Sequence, residues 1–196
     1  MMTKIRELQL HEQKLIGDII GDSFADDPVN RWVFDNQKSM TSYFTKSAKK
    51  LYLPKGFCQI TDNENAGAMW LPAGVKKHIP LWNSMDIAAA MILHSGFKSL
   101  IRGFIIDEIL AKKKPEGRYF YLFAIGARAG TLGKGYGGML MKSGLAIVDT
   151  YKQPAYLECS KASNISFYQG YGFEVIEEVI PAKNCPPLWL MWRKAV

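Results

Sequence analysis

The residues best suited to chemistry form a glycine-rich segment in the middle of the chain, between an apolar run and an amphipathic one. The segment reads Gly126-Ala127-Arg128-Ala129-Gly130-Thr131-Leu132-Gly133-Lys134-Gly135-Tyr136-Gly137-Gly138. N–H groups at the start of a helix have no partner within the helix and point outward, and the helix dipole favours negative charge. The segment therefore predicts a site that binds phosphate.

A Walker A nucleotide loop is one kind of phosphate site that the segment fails to match. That loop needs a glycine upstream of its Gly-Lys pair and a hydroxyl residue directly after the pair. Here Arg128 stands at the glycine position, and Gly135 follows Lys134. The segment therefore differs from a Walker A loop at two required positions, and we exclude that kind of site.

A dinucleotide-binding loop is matched in form by Gly133, Gly135 and Gly138, and Glu158 lies about 20 residues further on, where a ribose-binding acid is expected. The apolar run ends near Gly126, however, which is too far upstream for the tight turn from strand to helix that this site requires. A nicotinamide-dependent oxidoreductase is therefore kept only as a remote alternative.

Two motifs in the same order resemble the GCN5-related N-acetyltransferase superfamily. The first motif, Leu132–Gly137, resembles the acetyl-CoA loop of that family. The pattern of that loop begins with Gln or Arg, continues with any two residues, Gly and any one residue, and ends with Gly or Ala. The second, Asn164–Phe173, resembles its downstream Asn, Phe-Tyr and Gly-Phe signature. Trp70–Pro72 and Pro187–Arg193 look like the branch that includes puromycin N-acetyltransferase.

The resemblance implies acetyl-CoA as cofactor, with its pyrophosphate over the glycine loop and its pantetheine arm along the preceding strand. The residues that it assigns to the cofactor are Ile125, Gly126, Ala127, Leu132, Gly133, Lys134, Gly135, Tyr136, Gly137 and Asn164. Leu132 departs from the pattern, because the family usually has Gln or Arg there. Gly126 is also an ordinary strand terminator, Lys134 an ordinary surface lysine and Asn164 an ordinary helix N-cap.

Acyl transfer to an amine needs a base for the amine, donors for the carbonyl oxygen and an acid for the leaving thiolate. Backbone N–H groups near Ile125–Ala127 are candidates for the donors. Tyr168 matches the tyrosine acid of the family, and a phenol with a pKa of about 10 can protonate a thiolate whose thiol has a pKa of about 8.5. The alternative for Tyr168 is packing of a short helix onto the sheet.

The base is less clearly indicated. Glu158 lies between two apolar residues on a predicted strand, where burial would raise its pKa, so it is the first candidate. Asp26, Asp27 and Asp35 are alternatives, and so is an ordered chain of water. Cys159 has no histidine nearby to activate it, and we expect it to serve packing.

The periodicity of apolar residues predicts both strands and helices, and the resemblance implies an α/β (α+β) domain of the GNAT-like acyl-CoA N-acyltransferase fold, with a mixed, mostly antiparallel sheet flanked by helices. We expect residues 1–196 to form one domain. The predicted strands span 4–10, 57–61, 66–71, 119–125, 155–159, 173–180 and 188–193. The predicted helices span 11–24, 31–34, 40–53, 80–110 with interruptions near Gly96 and Gly103, 136–147 and 164–170.

The cysteines, the net charge and the apolar runs indicate the cellular compartment and the kinds of partner that we expect. Cys58, Cys159 and Cys185 have no paired spacing and no histidine partners, so we expect reduced thiols, no metal and a cytoplasmic location. The net charge of +7 comes from scattered short clusters, which favours solvated surface over nucleic-acid binding. The apolar run Ile87–Leu93 predicts a buried helix and no membrane span, and the first residues predict no signal peptide.

The sequence thus predicts an acetyl-CoA-dependent N-acetyltransferase that acts on a primary amine by direct attack on the thioester. A small-molecule acceptor is favoured, a peptide or protein amine stays open, and we expect a monomer or homodimer. Trp32, Trp70, Trp82 and Tyr43 are candidates for an aromatic acceptor surface or for the core. The alternative of another class is a non-catalytic sensor that binds acyl-CoA.

Overall fold

A seven-stranded sheet with helices on both faces forms the protein. The computed structural model describes residues 3–77 and 81–196, with side chains from residue 84 onward in the second range. The strands are β1 (Ile5–Glu7), β2 (Phe57–Thr61), β3 (Ala66–Leu71), β4 (Phe120–Ala127), β5 (Ala155–Cys159), β6 (Glu174–Val179) and β7 (Leu188–Arg193). Their order is β1-β2-β3-β4-β5-β7-β6, and every pair is antiparallel except β4 and β5. The predicted mixed sheet is confirmed.

Most helices lie where the apolar periodicity predicts them. They are α1 (Gln13–Ser23), α2 (Pro28–Val33), α3 (Gln37–Ser47), α4 (Leu53–Lys55), α5 (Leu81–Lys113), α6 (Tyr136–Thr150) and α7 (Ile165–Gln169). A π-helical stretch, Ala48–Tyr52, joins α3 to α4, so the predicted helix over 40–53 is one continuous helical segment. Asp27 begins α2 rather than only ending α1, because its carboxylate accepts a hydrogen bond from the Asn30 N–H at 2.8 Å.

Two apolar cores lie on opposite faces of the sheet. On one face α1, α2, α3 and α5 contribute to a core that reaches Tyr121 on β4. On the other face α6 and α7 pack against side chains that include Phe120 and Leu122. Strands β2 and β3 are buried along their whole length, which is why both read as nearly continuous apolar runs.

The long helix α5 differs most from the prediction. It breaks at Gly96, where φ is 74° and ψ 172°, but it continues through Gly103. The predicted start at Pro80 lies outside the described residues. The run Ile87–Leu93 is buried on one side only: Ile87 packs in the core, whereas Leu93 is 79% exposed.

The residues Ser84–Lys113 of α5 are long and apolar enough to cross a membrane by length and composition, with a mean hydropathy of 1.3 in an 18-residue window that is 22% buried. One face packs on the protein while the other exposes large apolar side chains. The core helix of a soluble protein passes the same test, so this is weak evidence for a span. The absence of a membrane partner stays a prediction.

Helix α6 lies close to β2 and β3 because two small residues face the sheet. Ser143 accepts a hydrogen bond from Gln59 Nε2 at 3.0 Å. A Cβ at Gly144 would lie 2.7 Å from Nε1 of Trp70, whose indole is fully buried. The indole of Trp70 thus occupies the space that a side chain at residue 144 would need.

We predict that Gly144→Ala destabilises the protein by about 1–3 kcal/mol, because the added methyl overpacks the Trp70 indole. Gly130→Ala is the matched control, since a Cβ there meets nothing within 4 Å. Unfolding in guanidinium chloride measures both. Equal midpoints for the two variants would contradict the close packing of α6 on β3.

Candidate functional site

Strands β4 and β5 separate halfway along their length. They pair in parallel from Phe120 and Ala155 to Leu122 and Leu157, and the pairing ends there although both strands continue. On its other edge β4 stays paired with β3 as far as Ala127, with a bulge that makes Phe123 the extra residue of β4. Beyond Leu122, β4 therefore presents unpaired backbone groups toward β5.

A narrow slot lies where the two strands separate. Its volume is about 40 Å³. Its lining residues are Phe24, Leu122, Phe123, Ala124, Ile125, Leu157, Glu158, Ser160, Asn164 and Tyr168. The sequence-predicted residues Ile125, Glu158, Asn164 and Tyr168 are therefore brought together in one slot.

The glycine segment forms an open turn above the slot. A short 3₁₀ helix, Ala129–Thr131, follows β4, and α6 begins at Tyr136. Gly133 and Gly135 have φ values of 79° and 78°, which glycine adopts readily, and a Cβ on either would meet nothing within 4 Å. Packing therefore does not explain why the backbone turns at these two glycines. The first N–H groups of α6 have no partner within the helix and point out of the turn.

The side chains of this turn face solvent. Leu132, at the position that departs from the family pattern, is 72% exposed, and Lys134 is exposed as well. The Tyr136 hydroxyl accepts a hydrogen bond from Asn63 Nδ2 at 3.0 Å, which ties the start of α6 to the turn between β2 and β3. Leu132 therefore contributes no polar side chain to this turn.

The glycine segment and the Asn164–Phe173 segment pack against each other. A Cβ at Gly137 would lie 3.6 Å from the Phe167 ring, and one at Gly138 would lie 2.8 Å from the Tyr171 hydroxyl. The two sequence motifs are therefore neighbours in the structure. Gly126 has a packing role of its own, since a Cβ there would overlap the side chain of Ser23 on α1.

Tyr168 is 9% exposed and packs edge-on against Phe167 and Phe173, with ring centroids 5.3 Å and 6.2 Å away. Burial raises its pKa well above the usual 10, with smaller contributions from Cys159 and Asp27. Its hydroxyl is thus protonated at neutral pH. Asn164 stands at the N-cap position of α7 without a capping hydrogen bond from its side chain, which lines the slot instead.

A larger cavity of about 610 Å³ adjoins the slot. The two share Phe24, Phe123, Glu158 and Ser160. The other lining residues are mostly apolar or aromatic, among them Val29, Val33, Phe34, Tyr43, Phe44, Leu51, Tyr52, Ile87, Met91, Leu100, Phe104, Ile106, Leu110, Tyr121 and Leu188. A molecule in the cavity therefore reaches the slot at Glu158.

Glu158 lies at the junction of slot and cavity with its side chain 12% exposed. It accepts a hydrogen bond from the Tyr121 hydroxyl, and Lys77 Nζ lies 3.8 Å from its Oε2. The Lys77 ammonium also lies 3.7 Å from Asp107 Oδ1 and over the rings of Tyr121 and Phe123, 5.1 Å and 5.5 Å from their centroids. The carboxylate thus has a phenol donor and a cation beside it.

Asp26 and Asp27, two of the other candidate bases, have structural partners. Asp26 forms an ion pair with Lys161 at 2.5 Å. Asp27 is 2% exposed and accepts hydrogen bonds from the Asn30 N–H and the Ser160 hydroxyl. Asp35 is exposed and lines neither the slot nor the larger cavity. Of the four carboxylates, Glu158 alone lines both.

The aromatic residues named as candidates for an acceptor surface or for the core lie in different places. Tyr43 lines the cavity, whereas Trp70 is fully buried on the opposite face of the sheet. Trp32 is half-buried, with Arg102 over its ring at 4.7 Å. The side chain of Trp82 lies outside the described residues.

Sequence reasoning missed Lys77, Tyr121 and Asp107. Tyr121 and Phe123 alternate along β4 and therefore face the same side, a signal that could have indicated a cavity wall. Lys77 and Asp107 carry no such signal, because distant parts of the chain bring them to Glu158. Within residues 3–77 and 81–196, no group of three metal-binding side chains lies together.

No protein-family model matches the chain. The structure resembles a protein from Corynebacterium glutamicum described as histone acetyltransferase HPA2 and related acetyltransferase. The TM-score of the two structures is 0.76 and their sequences are 18% identical; the match covers 100% of this chain and 98% of that one. It also resembles a polyamine N-acetyltransferase from Drosophila melanogaster, with a TM-score of 0.64, 11% identity and coverage of 98% and 100%. A third neighbour is the NatC complex bound to Gag peptide and CoA, with a TM-score of 0.53, 8% identity and full coverage of both chains.

These likenesses show the fold of the GCN5-related N-acetyltransferases, and the sequence-based prediction of that fold is confirmed. The identities are too low to carry activity or substrate from one protein to the other. The puromycin branch is not specifically indicated by these neighbours and stays a prediction.

We predict that the native protein reacts slowly with a thiol reagent at pH 8. Cys58, Cys159 and Cys185 are buried, and burial raises all three pKa values, that of Cys159 to about 11. Titration with Ellman's reagent should give three equivalents after unfolding and a rate at least about a hundredfold lower before it. Rapid reaction of Cys159 in the native state would support a thiol nucleophile instead of packing.

Proposed function

We propose that this protein is an acetyl-CoA-dependent N-acetyltransferase that acetylates a primary amine of a small molecule by direct attack on the thioester. One observation carries the proposal: the slot between β4 and β5 opens at Glu158 into a separate cavity. Such an arrangement suits a reaction in which two molecules meet end to end, one along the strands and one in the cavity. The fold neighbours support it, since the Drosophila protein is a polyamine N-acetyltransferase and NatC was determined with CoA.

The chain's own residues fit a CoA molecule. The open turn at Gly133 and Gly135 leaves room for a pyrophosphate against outward N–H groups at the start of α6. The unpaired edge of β4 beyond Leu122 can hydrogen-bond an extended amide chain as an added strand would. Lys134 is exposed beside the turn and supplies a positive charge for a phosphate.

Bound acetyl-CoA supplies an activated thioester, from which the acetyl group passes to an amine while the thiol leaves. Glu158 is placed to accept a proton from the amine, directly or through water, because it faces the cavity and the slot together. Tyr168 lines the slot and is protonated at neutral pH, so it is the candidate to donate a proton to the leaving thiolate, although burial makes the phenol a weaker acid in the free protein. Backbone N–H groups near Ile125–Ala127 that do not pair with β3 are the candidates to bind the carbonyl oxygen.

The acceptor is best matched by a small molecule with an apolar or aromatic body. The cavity volume of about 610 Å³ lies in the usual range of small-molecule sites. Its walls are mainly rings and aliphatic side chains, whereas Glu158 provides a polar group at the end that meets the slot.

A non-catalytic acyl-CoA sensor remains the alternative, and it predicts binding without turnover. The remote alternative, a nicotinamide-dependent oxidoreductase, loses support because only β4 and β5 are parallel. A dinucleotide site of the expected kind lies on a doubly wound parallel sheet, and this sheet is mostly antiparallel.

The test begins with a thermal titration. We predict that acetyl-CoA raises the melting temperature with saturation whereas NAD does not, because only a ligand that binds the native state stabilises it. A panel of alkyl and arylalkyl amines with a free-thiol readout then tests turnover. Binding without acetylation of any amine would favour the sensor, and stabilisation by NAD alone would refute the proposal.

Two glycine variants test whether the open turn holds the cofactor. We predict that Gly135→Ala lowers acetyl-CoA affinity at least about tenfold, because the left-handed φ of 78° disfavours a side chain and the turn must shift. Gly117→Ala is the matched control, with a φ of 94° and equally open surroundings away from the turn. Isothermal titration measures both, and equal affinities would place the pyrophosphate elsewhere.

We predict that Tyr168→Phe lowers kcat at least about tenfold with little change in acetyl-CoA affinity, by loss of the proton donor. Tyr151→Phe, which removes the hydroxyl of an exposed tyrosine outside the slot, should leave both unchanged. Steady-state kinetics measure kcat, and pre-steady-state kinetics establish that chemistry limits the rate. An unchanged kcat under that condition would leave Tyr168 with a packing role.

A further inference from the structure

The hydroxyl of Ser160 lies beside Glu158, where the slot meets the cavity. Both residues line the slot and the cavity. Glu158 is on β5 and Ser160 directly follows this strand. Side chains two residues apart on an extended chain leave it on the same side, with Cα atoms about 6.6 Å apart. An amine nitrogen that reaches the slot beside Glu158 therefore comes within reach of Ser160 as well.

Asp27 binds the single proton of this hydroxyl. The Ser160 hydroxyl donates a hydrogen bond to Oδ2 of Asp27. Oδ1 of the same carboxylate accepts hydrogen bonds from the Asn30 N–H at 2.8 Å and from Asn30 Nδ2 at 2.9 Å. Asp27 is 2% exposed, and a carboxylate can only accept hydrogen bonds, so the hydroxyl is the donor.

The oxygen of Ser160 therefore offers the site lone pairs only. A hydroxyl has one hydrogen and two acceptor lone pairs, and here the hydrogen is directed at Asp27. In the part of the chain that the structure describes, no group donates a hydrogen bond to Ser160 Oγ. Amines carry N–H hydrogens in both their neutral and their charged forms. The oxygen is thus suited to accept a hydrogen bond from the amine of an acceptor.

A primary amine has the number of hydrogens that two such oxygens require. Its neutral form has two N–H groups, one for Glu158 and one for Ser160, and its lone pair is left for the thioester carbon. As the C–N bond forms and the C–S bond breaks, Glu158 takes one proton and the leaving thiolate takes one from Tyr168. The second N–H stays on the amide product. A neutral secondary amine has one N–H, so one oxygen is left without a hydrogen bond.

We propose that Ser160 binds the acceptor amine through its oxygen, and that Asp27 is the positioning residue which fixes that oxygen as a hydrogen-bond acceptor. Together with Glu158, this arrangement selects primary over secondary amines. The inference rests on the proposed N-acetyltransferase activity and adds two residues to its acceptor site. Asp27 lines neither the slot nor the cavity and acts only through Ser160.

A structural tie is the simpler role for the same contact. The Ser160–Asp27 hydrogen bond and the Lys161–Asp26 ion pair attach the end of β5 to the connection between α1 and α2. Asp27→Asn separates the two roles. The new amide oxygen takes the hydrogen bonds from Asn30 and still caps α2, so the amide NH2 donates to Ser160. The contact is then kept, while the Ser160 hydrogen turns toward the site.

Isothermal titration of phenethylamine into the CoA-bound protein measures amine binding without turnover. We expect Asp27→Asn to weaken binding at least about tenfold and Ser160→Ala about fivefold, with CoA affinity unchanged in both. Asp26→Asn is the matched control, since it removes the neighbouring tie and leaves Ser160 unchanged, and it should keep the wild-type affinity. Ser160→Ala decides the question alone should Asp27→Asn fold poorly.

Three results of this titration would refute the proposed contact. They are unchanged affinity in Ser160→Ala or in a folded Asp27→Asn, equal losses in Asp26→Asn and Asp27→Asn, and no binding of phenethylamine by the wild type. Equal losses in the two aspartate variants would leave the hydrogen bond with its structural role.

Steady-state kinetics with phenethylamine and N-methylphenethylamine measure the selection between amines. We expect the wild type to favour the primary amine at least about tenfold in kcat/KM, and Asp27→Asn to reduce this preference to within about threefold. Because Asp27→Asn leaves the volume of the site unchanged, the loss of preference cannot come from extra space for the methyl group. Equal kcat/KM for both amines in the wild type, or the full preference in Asp27→Asn, would overturn the selection.

Failure of the proposed function gives a different result. If the wild type acetylates neither amine, the N-acetyltransferase proposal is contradicted, and the titration still decides whether Ser160 and Asp27 bind an amine. If acetylation proceeds equally well in the wild type, Ser160→Ala and Asp27→Asn, the function stands and the inference about Ser160 is wrong.

Discussion

The separation of β4 from β5 is the feature on which the rest of the site depends. Unpaired backbone groups inside a protein are costly, so two adjacent strands part only where something else holds them. Here each strand is fixed on its outer edge: β4 pairs with β3 as far as Ala127, and β5 pairs with β7 from Ala155 to Cys159. The slot is therefore bounded by two strands that cannot close on each other, and it exists before any ligand enters.

The helices close around this slot because small residues stand where they approach the sheet. Gly126 lets Ser23 of α1 lie against β4, and Gly144 leaves room for the Trp70 indole beneath α6. Gly137 lies against Phe167, which brings α7 and Tyr168 to the slot from the opposite face. The glycines of the turn itself have a different reason, since Gly133 and Gly135 have open space around them. Some glycines thus serve packing, and others shape a surface that is free to bind.

The sequence predicts the parts of this structure that depend on local chemistry. The hairpin of β2 and β3, strand β5 and the start of α6 follow from periodicity and turn residues, and they agree with the structure. Helix α5 is predicted less well, because its apolar residues cover more than one face and only tertiary packing decides that Ile87 is buried and Leu93 is not. Lys77 and Asp107 could not be predicted at all, since three distant segments bring them to Glu158.

Tyr168 and Glu158, which both line the slot, are surrounded by different kinds of group. Tyr168 is enclosed by aromatic rings, so desolvation dominates and its phenol keeps the proton. Glu158 is almost as well enclosed, yet a buried carboxylate requires partners, and it has the Tyr121 hydroxyl and the Lys77 ammonium. The Lys77 ammonium is itself held between the carboxylates of Glu158 and Asp107. The buried Glu158 is therefore stabilised by partners that distant segments of the chain bring to the place where the slot meets the cavity.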